Sequence, residues 1–143
     1  MTATIRKEYK FEAAHQLDHH KGKCRHLHGH SYKVELFVNG TICEEPSASD
    51  EGMVVDFGEM NEAWRPIFDL LDHSFLNDVL PVRTTAENIA AWICTRLWEM
   101  GGFIISRVRV WETAKAYAEV GVDDIPPGFP WKTLQELDRN DPV

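Results

Sequence analysis

Six of the seven histidines fall between positions 15 and 30. His15 is followed by the run Cys24-Arg25-His26-Leu27-His28-Gly29-His30, which holds two more on either side of a glycine. Imidazole is a common zinc ligand, and three protein ligands leave a coordination position open for chemistry, whereas a structural zinc is closed by four. The pattern therefore reads as a zinc centre held by His15, His28 and His30. A rival reading uses Cys24 as a fourth ligand, which would make the chain a zinc-stabilised interaction domain without catalysis. His19, His20 and His26 read as loop residues.

Cys24 lies in Lys21-Gly22-Lys23-Cys24-Arg25, and neighbouring cations favour a thiolate, the form that acts as base or nucleophile. The same charges also read as an ordinary solvated loop. Charge is unevenly spread: residues 1–33 carry seven Lys or Arg against three Asp or Glu, and the rest carry eight against twenty, which together give the net charge of -8. An acidic chain is a poor general binder of nucleic acid. A local basic lip of Lys21, Lys23 and Arg25 on a metal pocket suits a small anionic substrate such as a phosphorylated metabolite.

Alternation places the ligands. Ile5, Lys7, Tyr9, Phe11, Ala13 and His15 share one face of a strand, and His28, His30, Tyr32, Val34, Leu36 and Val38 share one face of the next, with Phe37 the exception. Residues two apart on a strand have Cα atoms about 6.6 Å apart, so His28 and His30 can turn onto one ion. If the strands pair as a hairpin across 16–27, all three rings meet at one end of the sheet. A third strand, over 104–112, ends its apolar face in Glu112. That carboxylate reads either as a surface acid or as an acceptor for two adjacent N–H donors of a planar heterocycle such as guanine or a pterin.

Two helices complete the frame. Asp56-Phe57-Gly58-Glu59 reads as an N-cap before Met60, Trp64, Ile67, Phe68 and Leu71, with Pro66 expected to kink the helix or remove one hydrogen bond. Thr84-Thr85-Ala86-Glu87 reads as a capping box before Ile89, Ile93, Leu97 and Met100, and Gly101-Gly102 closes that helix. A fourth strand is expected over 114–122. The order strand, strand, helix, helix, strand, strand predicts an α+β fold, an antiparallel sheet with both helices on one face. Asp72-His73 reads from the residues alone as the C-terminal cap of the first helix.

At 143 residues and 43% hydrophobic content, one globular domain is expected. The N-terminus shows no apolar signal region and no stretch is long enough to span a bilayer, so a cytoplasmic protein is expected. Three cysteines, with Cys94 inside a helix, argue against a disulfide framework.

Phe11-Glu12-Ala13-Ala14-His15, Cys24-x-x-x-His28-Gly29-His30, Val55-Asp56-Phe57, Leu71-Asp72-His73, Thr85-Ala86-Glu87-Asn88 and Trp111-Glu112-Thr113, in this order, resemble the 6-pyruvoyltetrahydropterin synthase family over residues 4–122. The likeness is greatest to the branch that makes 6-carboxytetrahydropterin. It implies a tunnelling fold in residues 1–122, whose subunits join edge to edge into a barrel and stack as a hexamer, a dimer of trimers. It also implies zinc on His15, His28 and His30, binding side-chain hydroxyls of 7,8-dihydroneopterin triphosphate, the substrate. Cys24 would take a proton as thiolate, Asp72 would orient His73 as a relay reaching in from a neighbouring subunit, and Glu112 would anchor the pterin.

Such a lyase would release triphosphate and acetaldehyde and feed the route to 7-deazaguanine compounds, including queuosine. The 6-pyruvoyl branch shares these parts and remains the alternative. Thr84 departs from the family, where proline is common; this is expected to alter only the start of the second helix. Residues 123–143 extend past the compact members, with Trp131, Leu134 and Leu137 at helical spacing predicting a short helix packed on the domain.

Overall fold

The computed structural model describes residues 1–130; the helix expected around Trp131, Leu134 and Leu137 lies outside the described residues. Two long strands dominate, β1 (Thr2–His15) and β2 (His28–Thr41). They pair antiparallel along their whole length, from Thr2 opposite Thr41 to His15 opposite His28. The helix α1 (Phe57–Leu71) follows, then a two-residue strand β3 (Ser74–Phe75), a one-turn helix α2 (Leu76–Val79), the helix α3 (Ala86–Met100), and the hairpin β4 (Arg107–Thr113) and β5 (Ala116–Gly121). The sheet order is β3-β1-β2-β4-β5.

The expected four-stranded α+β frame is therefore present, with one addition. β3 pairs parallel to β1, Ala13 beside Ser74 and Ala14 beside Phe75. Two residues carry no readable period, so the sequence gives no sign of it.

Alternation sorts the sheet's faces as expected. Phe11, Ala13, His15, Tyr32, Val34, Leu36, Val38, Val108 and Val110 are buried under the helices, against Met60, Trp64, Ile67 and Leu71 of α1 and Ile89, Ile93, Cys94 and Leu97 of α3. Each large apolar side chain so buried contributes roughly 1.5–3 kcal/mol relative to exposure. Phe11 stacks on Tyr32 at 4.7 Å, which props the floor below the histidines.

The first helix follows expectation: α1 continues through Pro66, which lacks the N–H for one helical hydrogen bond, and its N-cap Asp56 accepts from the Gly58 amide at 2.7 Å. Other local expectations are corrected. α3 is capped by Thr85, which accepts from the Asn88 amide, rather than by Thr84, because Thr84 is buried elsewhere. Met100 and Ile104 are exposed. β4 starts only at Arg107, and the Ser106 amide and hydroxyl just before it both donate to the Phe37 carbonyl of β2.

The outward face carries charge. Glu35 is only 3% exposed there, and takes hydrogen bonds from Arg6 on β1 and Trp111 on β4, with Arg109 also in reach. Arg109 also lies over the Phe37 ring, which explains how an apolar residue sits on this side. Arg107 and Arg109 both bond Glu119 on β5. A buried carboxylate is tolerated only when paired in this way.

Burial alone would raise the pKa of Glu35, but the hydrogen bonds from Arg6 and Trp111 and the charges of Arg6 and Arg109 outweigh it and hold the group below its ordinary value. A carboxyl depressed on folding stabilises the native state fully above its unfolded value, about 4.3, and this contribution is lost as pH falls through the lower folded value. Thermal melts between about pH 6 and pH 3 should therefore show a steep loss of midpoint for the parent. The Glu35→Gln protein should start lower and show a shallower slope; equal slopes would remove Glu35 from the acid response.

Candidate metal centre

The register of β1 and β2 builds the site. His15 lies directly opposite His28, and His30 opposite Ala13, so the three rings converge where the hairpin opens into the loop. Their ligand nitrogens all lie within 4.8 Å of one another, forming a group that could hold a metal ion. Cys24 does not belong to this group. It is half-buried in the 3-10 turn Lys23–Arg25, with its carbonyl bound by the Leu17 amide at 2.9 Å. A closed site using the thiol as fourth ligand is not what the geometry displays.

Hydrogen bonds decide which nitrogens face inward. His15 Nδ1 lies 2.7 Å from the Thr84 carbonyl, and His28 Nδ1 lies 2.7 Å from the His26 carbonyl. A carbonyl only accepts, so both Nδ1 atoms carry the proton, and in the neutral rings both Nε2 atoms carry a lone pair. Those two Nε2 atoms are 3.0 Å apart. Two lone pairs cannot bond each other, yet ligand nitrogens of a tetrahedral zinc at about 2.0–2.1 Å stand roughly 3.3 Å apart. A shared cation resolves the contact, and carbonyl partners of this kind are how metal-binding histidines are oriented.

His30 Nε2 is buried without a hydrogen-bond partner among the described residues, and Glu112 Oε2 lies 3.7 Å from it. Burial lowers the pKa of both His15 and His30; for His30 the Glu112 charge opposes the shift without reversing it. Both rings are thus biased to the neutral form a metal needs.

Glu112 closes the apolar face of β4 as expected. It lines a cavity of about 260 Å³ with Leu17, Thr85, Glu87 and Tyr117, at the start of α3, where a flat heterocycle could meet its carboxylate. Asp72 and His73 are placed differently. Asp72 Oδ1 accepts from the Glu12 amide at 2.9 Å, its Oδ2 lies 2.7 Å from His73 Nδ1, and the His73 amide donates to the Glu12 carbonyl. The Glu12 amide, followed by His73, holds the Asp72 carboxyl below its ordinary value.

His73 has φ of 55°, a left-handed conformation uncommon outside glycine, and its side chain is 80% exposed. It shares one cavity wall with His30 but does not join the three-histidine group. Lys21, Lys23 and Arg25 are all exposed around Cys24. Of the other thiols, burial pushes Cys94 up to about 11, which removes it as a competing base.

Thr84, expected to matter only for the helix start, instead holds His15. Its carbonyl and, at 3.2 Å, its hydroxyl both meet His15 Nδ1. The only signal was the doubled threonine, which left two candidates for one cap.

Residues 4–122 match the 6-pyruvoyl tetrahydropterin synthase family. The chain belongs to that family. Among its relatives, the 6-carboxy-5,6,7,8-tetrahydropterin synthase of Synechocystis sp. is 44% identical over 116 residues, covering 80% of this chain and 89% of the relative. The Haemophilus influenzae protein of the same name is 35% identical over 137 residues, covering 80% and 96%. The Caenorhabditis elegans 6-pyruvoyl tetrahydropterin synthase structure superposes with a TM-score of 0.75 at 24% identity, covering 85% of this chain and 96% of that one, and so shares the fold.

One side chain in this family member's site stands apart. The Tyr32 hydroxyl is fully buried below the histidines with no hydrogen-bond partner among the described residues, and burial, then the Glu112 charge, raise its pKa. An orphaned buried hydroxyl costs about 1–3 kcal/mol. Tyr32→Phe should therefore melt at the same temperature as the parent or higher; a clear fall in midpoint would show that the hydroxyl is paired in solution.

Proposed function

We propose that this protein converts 7,8-dihydroneopterin triphosphate to 6-carboxy-5,6,7,8-tetrahydropterin, with release of acetaldehyde and triphosphate. The two inward-facing lone pairs of His15 and His28, beside the bare Nε2 of His30, carry the metal part of this reading. The names of the relatives at 44% and 35% identity support the product.

His15, His28 and His30 would hold zinc, which as a Lewis acid supplies acidity to a neighbouring C–H of the substrate side chain. Cys24, in the turn that joins the two histidine-bearing strands, would remove that proton as thiolate, and its exposed lysine and arginine neighbours would meet the triphosphate. Glu112 would accept the paired N–H donors of the pterin edge. Asp72 fixes the His73 ring so that its free nitrogen can pass a proton, an arrangement suited to general acid-base work.

His73 is exposed and does not join its own chain's three-histidine group, which supports a role for it in the site of a neighbouring subunit. Two sheet edges support assembly: among the described residues β5 has no outer neighbour, and β3 covers only two residues of β1. An open ladder of this length is a pairing surface. A hexameric ring assembly in the cytoplasm, supplying a 7-deazaguanine precursor, completes the proposal. The three unpaired thiols fit a reducing compartment, and no described helix is long and apolar enough to cross a membrane.

Incubation of purified protein with dihydroneopterin triphosphate and mass analysis should give a carboxypterin and acetaldehyde. A pyruvoyl product would move the protein to the other branch, and no turnover would remove the enzymatic reading. Cys24→Ser should retain about one zinc per chain and lose turnover, whereas loss of zinc would make the thiol a ligand. His73→Ala should keep zinc and the oligomer while turnover falls about 10²-fold or more. Mixing Cys24→Ser with His73→Ala subunits should restore part of the activity; none would place the relay and thiol in the same chain.

A further inference from the structure

Asn77 lies in the one-turn helix α2, between α1 and α3, and has no part in the reaction proposed above. Its carboxamide is nevertheless tied to the end of β1. Oδ1 accepts from the Gln16 amide at 3.0 Å, and Nδ2 donates to the Gln16 carbonyl at 2.8 Å. This double contact imitates a neighbouring strand and continues the pairing of β1 one residue beyond His15. It also fixes the amide's orientation, since only the oxygen can accept and only the nitrogen can donate.

The same Oδ1 meets the Thr84 hydroxyl at 3.4 Å. With its proton directed at Asn77, Thr84 Oγ1 presents lone pairs to His15 Nδ1, 3.2 Å away, and the Thr84 carbonyl meets the same Nδ1 at 2.7 Å. The directions agree at every link. Asn77 thus grips both the backbone that follows His15 and the residue that receives the His15 proton. Thr84 and His15 are buried, so a misplaced hydroxyl or ring there has no solvent to replace its partner.

We propose that Asn77 is a positioning residue for the metal centre, which through Gln16 and Thr84 fixes the ring orientation and the Nδ1-protonated form of His15. The proposal deepens the zinc-site reading and rests on it for its effect on metal affinity. It also gives β3 and α2 a purpose: the short parallel pairing with β1 anchors the segment that delivers Asn77 to the strand end.

The test uses the full chain. Zinc affinity is measured by chelator competition, and the tautomer of His15 in metal-free protein by long-range nitrogen-proton NMR. Asn77→Ala should weaken zinc about 10-fold or more, the range found for outer partners of metal ligands. It should also turn the single Nδ1-protonated form of His15 into a mixture. Asn77→Asp keeps an oxygen for Gln16 and Thr84 but lacks the donor to the Gln16 carbonyl, and should fall between parent and alanine variant on both readouts.

Zinc affinity within twofold of the parent for Asn77→Ala would overturn the proposal. So would weaker zinc binding with an unchanged His15 tautomer, which would mark Asn77 as a general stabiliser only. If the parent itself binds no zinc, the zinc-site reading fails, and the tautomer measurement alone still decides whether Asn77 fixes His15. Should the alanine variant not fold, the aspartate variant carries the same two measurements.

Discussion

Everything at the site follows from the register of one hairpin. Fourteen residues of β1 lie opposite fourteen of β2, and the last pair is His15 with His28. Side chains alternate faces, so a slip of one residue would send a whole ladder of apolar groups outward and carry the histidines with it. The core and the metal centre are thus specified by the same pairing. Burial of Phe11, Tyr32, Val34 and Leu36 holds the register, and the register holds the His15 and His28 nitrogens 3.0 Å apart, a separation suited to a shared cation.

The remaining elements act on that hairpin from its two faces and its end. The helices cover the apolar face, and the start of α3 supplies one wall of the cavity at Glu112. At the open end, Thr84 supports His15 and the His26 carbonyl supports His28, so neither ring relies on its own rotamer preference. Beside β1, Asp72 and His73 are locked to the Glu12 backbone, and His73 lines a cavity with His30 without joining the three-histidine group.

Much of this was legible because period-two alternation is a strong signal in long strands. It singled out the three histidines that the fold brings together, the buried faces of β1 and β2, and Glu112 as the end of an apolar row. Motif likeness, rather than period, singled out Asp72-His73, which by local chemistry is also a good helix cap. The segment from β3 to α2 escaped because a two-residue strand and a single helical turn have no periodicity to read. Thr84 escaped for a different reason: either of two adjacent threonines could cap α3, and only the fold shows that one of them is committed to His15. Glu35 fell on the expected outward face, but its burial depends on Arg6, Trp111 and Arg109 arriving from two other strands, which no local window contains.

The charged outward face has a consequence for any ring closed through the sheet edges. With the helices on the other side, that face must turn inward, carrying exposed Arg6, Glu8 and Lys10 with it. Stripping water from so many ions would cost several kcal/mol for each. A closed ring of these sheets would therefore surround a hydrated lumen, with side chains that remain solvated although they lie at the centre of the particle.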